Sequence, residues 1–253
     1  LEVRRTNLYR DGDSQQNVTH YGQVVRDHVL GEMVDLLAAS SDYARRRREI
    51  EEFNAASRTH LRGIALSTVK FGISFTSKFL KQANALVNVY TDGTVQVSTG
   101  GTEMGQGLNT KLRQLVADEF GIAVDHVRLM TTSTEKNNNT SPTAASAGTD
   151  LNGAAALKAC RVIKKRMRAF GAALLADMEQ GLVAAPEHVR IENGYVFDDR
   201  CVDPDRRMRL ADFCTLARRE RVDLGARGFY ATPGVDYNRG TGRGNPFFYY
   251  TTG

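Results

Sequence analysis

The stretch ALVNVYTDGTVQVSTGGTEMGQGLNTKLRQLVADEFG, residues 85–121, reads as strand, turn, strand, glycine-rich loop and helix in one continuous run. Residues 85–90 and 94–98 are two strands, joined by Thr91-Asp92-Gly93, a strong hairpin signal. The second strand runs directly into the loop Gly100-Gly101-Thr102-Glu103-Met104-Gly105-Gln106-Gly107. Residues 108–120 then read as a helix, with Leu112, Leu115, Val116 and Phe120 on one side and Gly121 as its stop.

Working outward, the N-terminal side is helical in pattern. Val25, Val29, Met33, Leu36 and Leu37 recur at helical spacing within residues 21–40. Ser41 or Asp42 is placed to cap a second helix reaching about residue 53. Residues 64–76 read as a strand with a glycine break at Gly72, and residues 126–132 as another strand. On the C-terminal side, residues 151–178 read as a long helix, with Thr149 or Asp150 in capping position and a break near Gly171. Residues 189–191 and 195–197 flank Glu192-Asn193-Gly194, a second hairpin. Residues 210–219 are a short helix, and residues 225–232 and 246–252 are strands. Strands and helices mix without strict alternation, so the fold class is α+β, or mixed α/β. The expected organisation is a helical lead-in over residues 1–60, strands with ligand loops over 61–150, and a long helix followed by mixed strands and helix over 151–253.

Composition narrows the function classes. A chain of 253 residues buries a real core. It has no apolar run long enough to cross a bilayer and no signal-peptide pattern. The formal net charge is +5, with clusters at residues 45–48, at 164–168 and at 206–209. Glu49, Glu51 and Glu52 follow the first cluster at ion-pair spacing, and no aromatic residues interleave the clusters. A solvated helix face is the expectation, rather than a nucleic-acid surface. Cys160, Cys201 and Cys214 are odd in number and lack CxxC spacing, which argues against a disulfide framework and a zinc site and fits a reducing compartment. The five histidines are scattered, so no protein-ligated metal centre is expected.

Two segments carry the chemistry. Four glycines in residues 100–107 permit positive φ and close backbone approach, and the following helix start offers N–H groups to an anion. The loop lacks the Lys-Ser/Thr of a Walker loop and fails the Rossmann glycine spacing, so alone it reads equally as a tight turn. The second segment is Ser141-Pro-Thr-Ala-Ala-Ser-Ala-Gly-Thr-Asp150. Its small residues lead into a helix, and Thr143, Ser146 and Thr149 offer hydroxyls. It reads as an anion cradle or as a small-residue helix contact. The presence of both favours a shared anionic ligand.

At these residues the sequence resembles the xanthine dehydrogenase family of molybdenum hydroxylases. GGTEMGQGL, SPTAAS followed by TDLNG, KFGISFT (residues 70–76) and VYTDG (residues 89–93) stand in that family's order and approximate spacing. The likeness extends to NLY with GD near the start, YGQ at Tyr21, FNAAS at Phe53, RGIA at Arg62, GFYATP at Gly228 and GRGNPF at Gly242, and so covers nearly the whole chain. It implies a partial molybdopterin-binding domain of the xanthine dehydrogenase and aldehyde oxidase type. It implies that Met104, Gly105, Gln106 and Gly107 help hold the cofactor, with Gln106 close to the molybdenum. It places the backbone N–H of Ala145 at the metal centre, and Ser146, Gly148 and Thr149 at the pyranopterin phosphate. Phe75 would pack on a purine ring and Thr76 would hydrogen-bond it. FGISFT and TAAS favour a purine over an aldehyde. Thr99 and Gly148 depart from the family's usual His and Ser, and Asn137 to Thr140 is looser than usual.

The resemblance further implies oxidation of xanthine or hypoxanthine to urate, using water as oxygen source. Electrons would pass through 2Fe–2S and FAD to NAD or oxygen. No catalytic residue is expected in this chain. The general-base glutamate would lie downstream of Gly253, and an arginine and a glutamate that orient the purine would lie upstream of Leu1. The 2Fe–2S cysteines and flavin domain would belong to other segments or subunits, in a cytoplasmic homodimer or heterotetramer with no nucleic-acid or membrane partner. The alternatives are a nonenzymatic cofactor-binding or assembly module, and an aldehyde or N-heterocycle hydroxylase of the same superfamily.

Overall fold

The computed structural model describes residues 1–10, 16–136, 140–178, 185–201 and 203–253. The chain divides into two compact units, one of Leu1–Thr76 with Val235–Gly253 and one of Ser77–Gly234.

The first unit contains α1 (Glu2–Thr6), α2 (Leu30–Ser40), α3 (Tyr43–Ala56) and β1 (Thr68–Ile73). Its C-terminal part supplies the strand that pairs antiparallel with β1, from Thr68↔Thr252 to Ile73↔Phe247. The helix expected over residues 21–40 begins only at Leu30. Before it, Val18 and Val24 form an isolated bridge and Asp27 sits at φ 55, a left-handed turn that no helix contains. Gly72 does not break β1 but pairs with Phe248, and the strand stops at Ser74, where φ is 90. Two of the quoted motifs meet here: Asn54 exchanges hydrogen bonds with both backbone groups of Arg62, whose guanidinium lies 3.8 Å from the Phe53 ring centroid.

The second unit is built on β2 (Gln82–Val89), β3 (Val95–Thr99), α4 (Leu108–Phe120), β4 (Val127–Leu129), α5 (Gly148–Met178), β5 (Val189–Glu192), β6 (Tyr195–Asp198), β7 (Met208–Arg209), α6 (Leu210–Arg219) and β8 (Gly225–Ala231). The main sheet has the order β4-β3-β2-β8, and β5-β6-β7 form a smaller one. β3 and β4 are parallel, so α4 is a crossover helix and the glycine-rich loop is the link from strand to helix. Three short strands complete the first unit: β9 (Tyr237–Asn238), β10 (Arg243–Gly244) and β11 (Phe247–Thr252).

The core of the second unit follows from alternation in β2, where Ala83, Ala85, Val87 and Val89 are buried and their neighbours are not. Those small residues face the buried Ala155, Ala156, Ala159 and Ile163 of α5, within one hydrophobic cluster. Closeness here is extreme at Gly228 of β8, where an added Cβ would lie 1.9 Å from the carbonyl oxygen of Ala155. α5 runs 31 residues without a break at Gly171, because that glycine packs between Val189 and Phe213 instead of bending the helix. It also begins earlier than expected, at Gly148 rather than after Asp150.

The basic clusters are paired on the surface. Arg45 bridges Asp42 and Glu49, Arg47 reaches Glu51, Arg166 reaches Asp223 and Arg209 reaches Asp212. Among the described residues no helix is long and apolar enough to cross a membrane. Asn137 to Asn139 and the Gly12-Asp13 pair lie outside the described residues.

Candidate functional site

Both loops singled out in the sequence lie in the second unit, and the fold brings them together. The backbone N–H of Thr102 donates to Thr143 Oγ1 at 2.9 Å. The hydroxyl of Thr132, beyond β4, donates to the carbonyl of Gly101 at 3.0 Å. Ser141 anchors the second loop to β2: its N–H donates to the carbonyl of Gln82, and its Oγ accepts from the N–H of Gln82. An added Cβ at Gly100 would lie 2.1 Å from Thr140 Cγ2, so the paired glycines are also where the two segments touch.

The first loop satisfies itself. The Glu103 carboxylate accepts from the N–H groups of Gly105, Gly107 and Asn109, at 2.8, 3.0 and 2.9 Å. It thereby covers the start of α4, where a helix presents donors that have no partner of their own. The hydrogen bond from Asn109 is the largest cause that holds the Glu103 carboxyl below its ordinary value; burial opposes it, and the bonds from Gly107 and Gly105 add to it. Gln106 folds back on its own loop: its Oε1 accepts from Met104 N–H at 2.6 Å and its Nε2 donates to the Thr102 carbonyl at 2.9 Å. The sequence reading offered the start of α4 to an outside anion. The structure fills that position with an internal carboxylate, and an acidic residue a few positions before a helix was the available signal.

The second loop is arranged differently. Ala145 and Ser146 both have φ 53, two consecutive non-glycine residues in the left-handed region. That conformation is costly for residues with a Cβ and concentrates at ligand sites. Among the described residues no side chain accepts from the N–H groups of Gly148 or Thr149, in contrast to the capped start of α4. Lys81, just before β2, is 1% exposed. Burial holds its ammonium below the ordinary lysine value, against the opposing attraction of Asp150 in the first turn of α5. Burial in turn raises the Asp150 carboxyl, opposed by Lys81.

The sequence reading quoted Asn152 within TDLNG but gave it no role. It is 3% exposed, donates from Nδ2 to the Gly148 carbonyl at 2.9 Å and lies against Gly101, where an added Cβ would come within 2.9 Å of its Nδ2. Its Oδ1 is buried and has no hydrogen-bond partner among the described residues.

Phe75 and Thr76 belong to the first unit, directly after the left-handed Ser74. Thr76 packs against Gly244, where a Cβ would lie 2.5 Å from its Cγ2. Elsewhere on the second unit, a concavity of about 290 Å³ carries Arg161, Lys164, Lys165 and Arg168. The Glu119 carboxylate pairs with both Arg161 and Lys164 and so offsets one of their two charges. The thiols of Cys160 and Cys214 are pushed up to about 12 by burial, so neither is a nucleophile at neutral pH.

Comparison with known proteins matches this architecture to one family. Residues 36–253 match the molybdopterin cofactor-binding domain family. The chain is 42% identical over its whole length to a xanthine dehydrogenase of Dictyostelium discoideum, 38% to one of Oryza sativa subsp. japonica, and 39% to the xanthine dehydrogenase/oxidase of Felis catus. It spans 16% of the length of each of these relatives. Among solved structures, quinoline 2-oxidoreductase from Pseudomonas putida 86 superposes with a TM-score of 0.68 at 22% identity, over 92% of this chain and 30% of that one. Aldehyde oxidoreductase from Desulfovibrio gigas gives 0.63 at 19% identity, over 99% of this chain and 23% of that one. These likenesses confirm the mixed helix-and-sheet fold expected from the sequence. The chain belongs to the molybdopterin cofactor-binding domain family, among the molybdenum hydroxylases of the xanthine dehydrogenase type.

Proposed function

We propose that this chain carries part of the molybdopterin-binding site of a purine hydroxylase that oxidises xanthine or hypoxanthine to urate, with water as the oxygen source. The observation that supports it most is the start of α5. There a left-handed Ala145-Ser146 pair stands just before the helix start at Gly148, with the hydroxyl-bearing Ser146 and Thr149 on either side of that start, a set suited to an anionic cofactor. Ser146, Gly148 and Thr149 would hold the phosphate end. The N–H of Ala145 would face the metal, and Gln106 would reach it by exchanging its bonds to Met104 and Thr102. Met104, Gly105 and Gly107 would support the cofactor through the backbone of the same loop. Phe75 and Thr76, from the first unit, are assigned to the purine.

When bound, the cofactor supplies the redox chemistry of the hydroxylation. This chain's residues orient and retain it. The general base, FAD and 2Fe–2S, and the transfer of electrons to NAD or oxygen, are assigned to other segments or subunits of a cytoplasmic homodimer or heterotetramer. The 253-residue chain alone is therefore expected not to oxidise xanthine. In the full-length protein, Gln106→Ala is expected to lower xanthine turnover at least about tenfold, the weight of one lost polar contact of about 1.4 kcal/mol, with folding retained. Wild-type turnover in that variant removes Gln106 from the site, and turnover with quinoline or an aldehyde but not with xanthine assigns the site to another substrate.

A further inference from the structure

We propose that Gly244 is a positioning residue for the purine site: because it carries no side chain, Thr76 stands directly against β10, and that closeness sets where the Thr76 hydroxyl is presented. The inference rests on the assignment of Phe75 and Thr76 to the purine above.

Gly244 is the second residue of β10 and pairs with Tyr237 of β9. A Cβ added there would lie 2.5 Å from Thr76 Cγ2, 2.6 Å from its Oγ1 and 2.7 Å from its Cβ. All three atoms belong to one side chain. Two of them move when Thr76 turns about χ1, but its Cβ is placed by the backbone. No change of rotamer therefore makes room. With the outer atoms turned away, the two Cβ atoms still have to part by about 0.7 Å, from 2.7 to 3.4 Å, before ordinary contact begins.

Conformation does not account for this glycine. Its φ lies outside the left-handed range, so a residue with a side chain could adopt the same backbone. Gly242, in the same GRGNPF motif, is the reverse case: its φ is 67 and a Cβ would meet nothing within 4 Å. One glycine serves the turn, and the other makes room for Thr76.

A side chain at residue 244 would displace Thr76 rather than β10. β10 is tied on its other sides: it pairs with β9, the N–H of Asn245 donates to the Asp236 carbonyl at 3.1 Å, and the Pro246 carbonyl accepts from Gln23 Nε2 at 3.0 Å. Thr76 instead follows the end of β1 and a residue in a costly conformation, Ser74 at φ 90. Such a backbone persists only where its surroundings hold it. Gly244 is one of those surroundings, and it acts on the purine only through Thr76.

The test is a double-mutant cycle in the full-length protein: wild type, Thr76→Gly, Gly244→Ala and the double variant. Each is measured for kcat and KM with xanthine, for molybdenum content and for its unfolding midpoint. Thr76→Gly is expected to lower kcat/KM at least about tenfold. Gly244→Ala is expected to do the same, because a misplacement approaching about 1 Å costs that much or more. Its molybdenum content is expected to be unchanged, and the same parameter, kcat or KM, is expected to carry the loss in both single variants. With Thr76→Gly in place all three clashing atoms are gone, so adding Gly244→Ala is expected to cost less than about a further twofold. Wild-type kcat/KM in Gly244→Ala overturns the proposal. So do losses that multiply in the double variant, and so does a loss of molybdenum in step with turnover, which makes Gly244 a packing residue. If Gly244→Ala is too unstable to assay, a midpoint restored in the double variant supports the proposal and one not restored overturns it. Wild-type turnover in Thr76→Gly overturns the purine assignment of Thr76 itself, and this proposal with it.

Discussion

The two loops begin alike, as small-residue segments that each enter a helix, and end in opposite electrostatic states. The first spends its donors internally: Glu103 covers the start of α4, and Gln106 holds Met104 N–H. The second keeps its donors open, at the head of a 31-residue helix, behind two residues in a left-handed conformation. The difference teaches that a glycine-rich sequence is not what makes an anion site. Glycine permits the backbone to bend, but the neighbouring carboxylate decides whether the donors remain available. By that criterion the more glycine-rich loop is the less available one.

The strongest way to break the comparison is to remove the support under the second loop. Gly228→Ala drives a Cβ to within 1.9 Å of the Ala155 carbonyl, a backbone atom of α5 that cannot swing aside. We expect about 3 kcal/mol of destabilisation, measured by denaturant unfolding. A loss below about 0.5 kcal/mol shows that β8 and α5 separate without cost, and that the second loop is not rigidly held. A smaller effect, of opposite sign, is expected from relieving the strain: Ala145→Gly and Ser146→Gly should each stabilise the cofactor-free protein by about 0.5–1 kcal/mol, the left-handed cost less glycine's entropy. Destabilisation by both substitutions means the pair carries no strain, which removes one leg of the contrast.

The smallest effect concerns the first loop and depends on pH. The hydrogen bonds from Asn109, Gly107 and Gly105 hold the Glu103 carboxyl below its ordinary value, so its contribution is full above about pH 4.3. It is lost as pH falls through the lowered folded-state value. Hydrogen exchange at Gly107 and Asn109 should therefore accelerate on acidification in wild type and be fast and nearly pH-independent, after correction for intrinsic exchange, in Glu103→Gln. Unchanged protection in that variant shows that another group caps α4.

Much of the second unit was legible because its signals are local. The hairpin at Thr91-Asp92-Gly93, α4 with its stop at Gly121, and α6 from Leu210 to Arg219 all depend on residues close in sequence. What failed depends on partners far away. The pattern of Val25 and Val29 suggested a helix from residue 21, yet Gln23 is held in another conformation, with its Nε2 on the carbonyl of Pro246. Gly171 looked like a break until Val189 and Phe213 closed around it. Of the site, the two segments were evident in sequence and their contact was not. The Thr102–Thr143 bond spans 41 residues, and Asn152 stands in the quoted TDLNG stretch without a local signal of its contact with Gly101.

The length of α5 has one more consequence. At 1.5 Å per residue it is a rod of about 46 Å, and its inward side includes Ala159, Ile163 and Met167, all fully buried. The second loop is mounted on the end of that rod, so its readiness for a ligand is borrowed from the cooperativity of the whole interior. A cavity opened at Met167, several turns from any residue assigned to the site, would loosen the mount before it unfolded the domain. Such a lesion would be seen first as cofactor escaping from a protein that still looks folded.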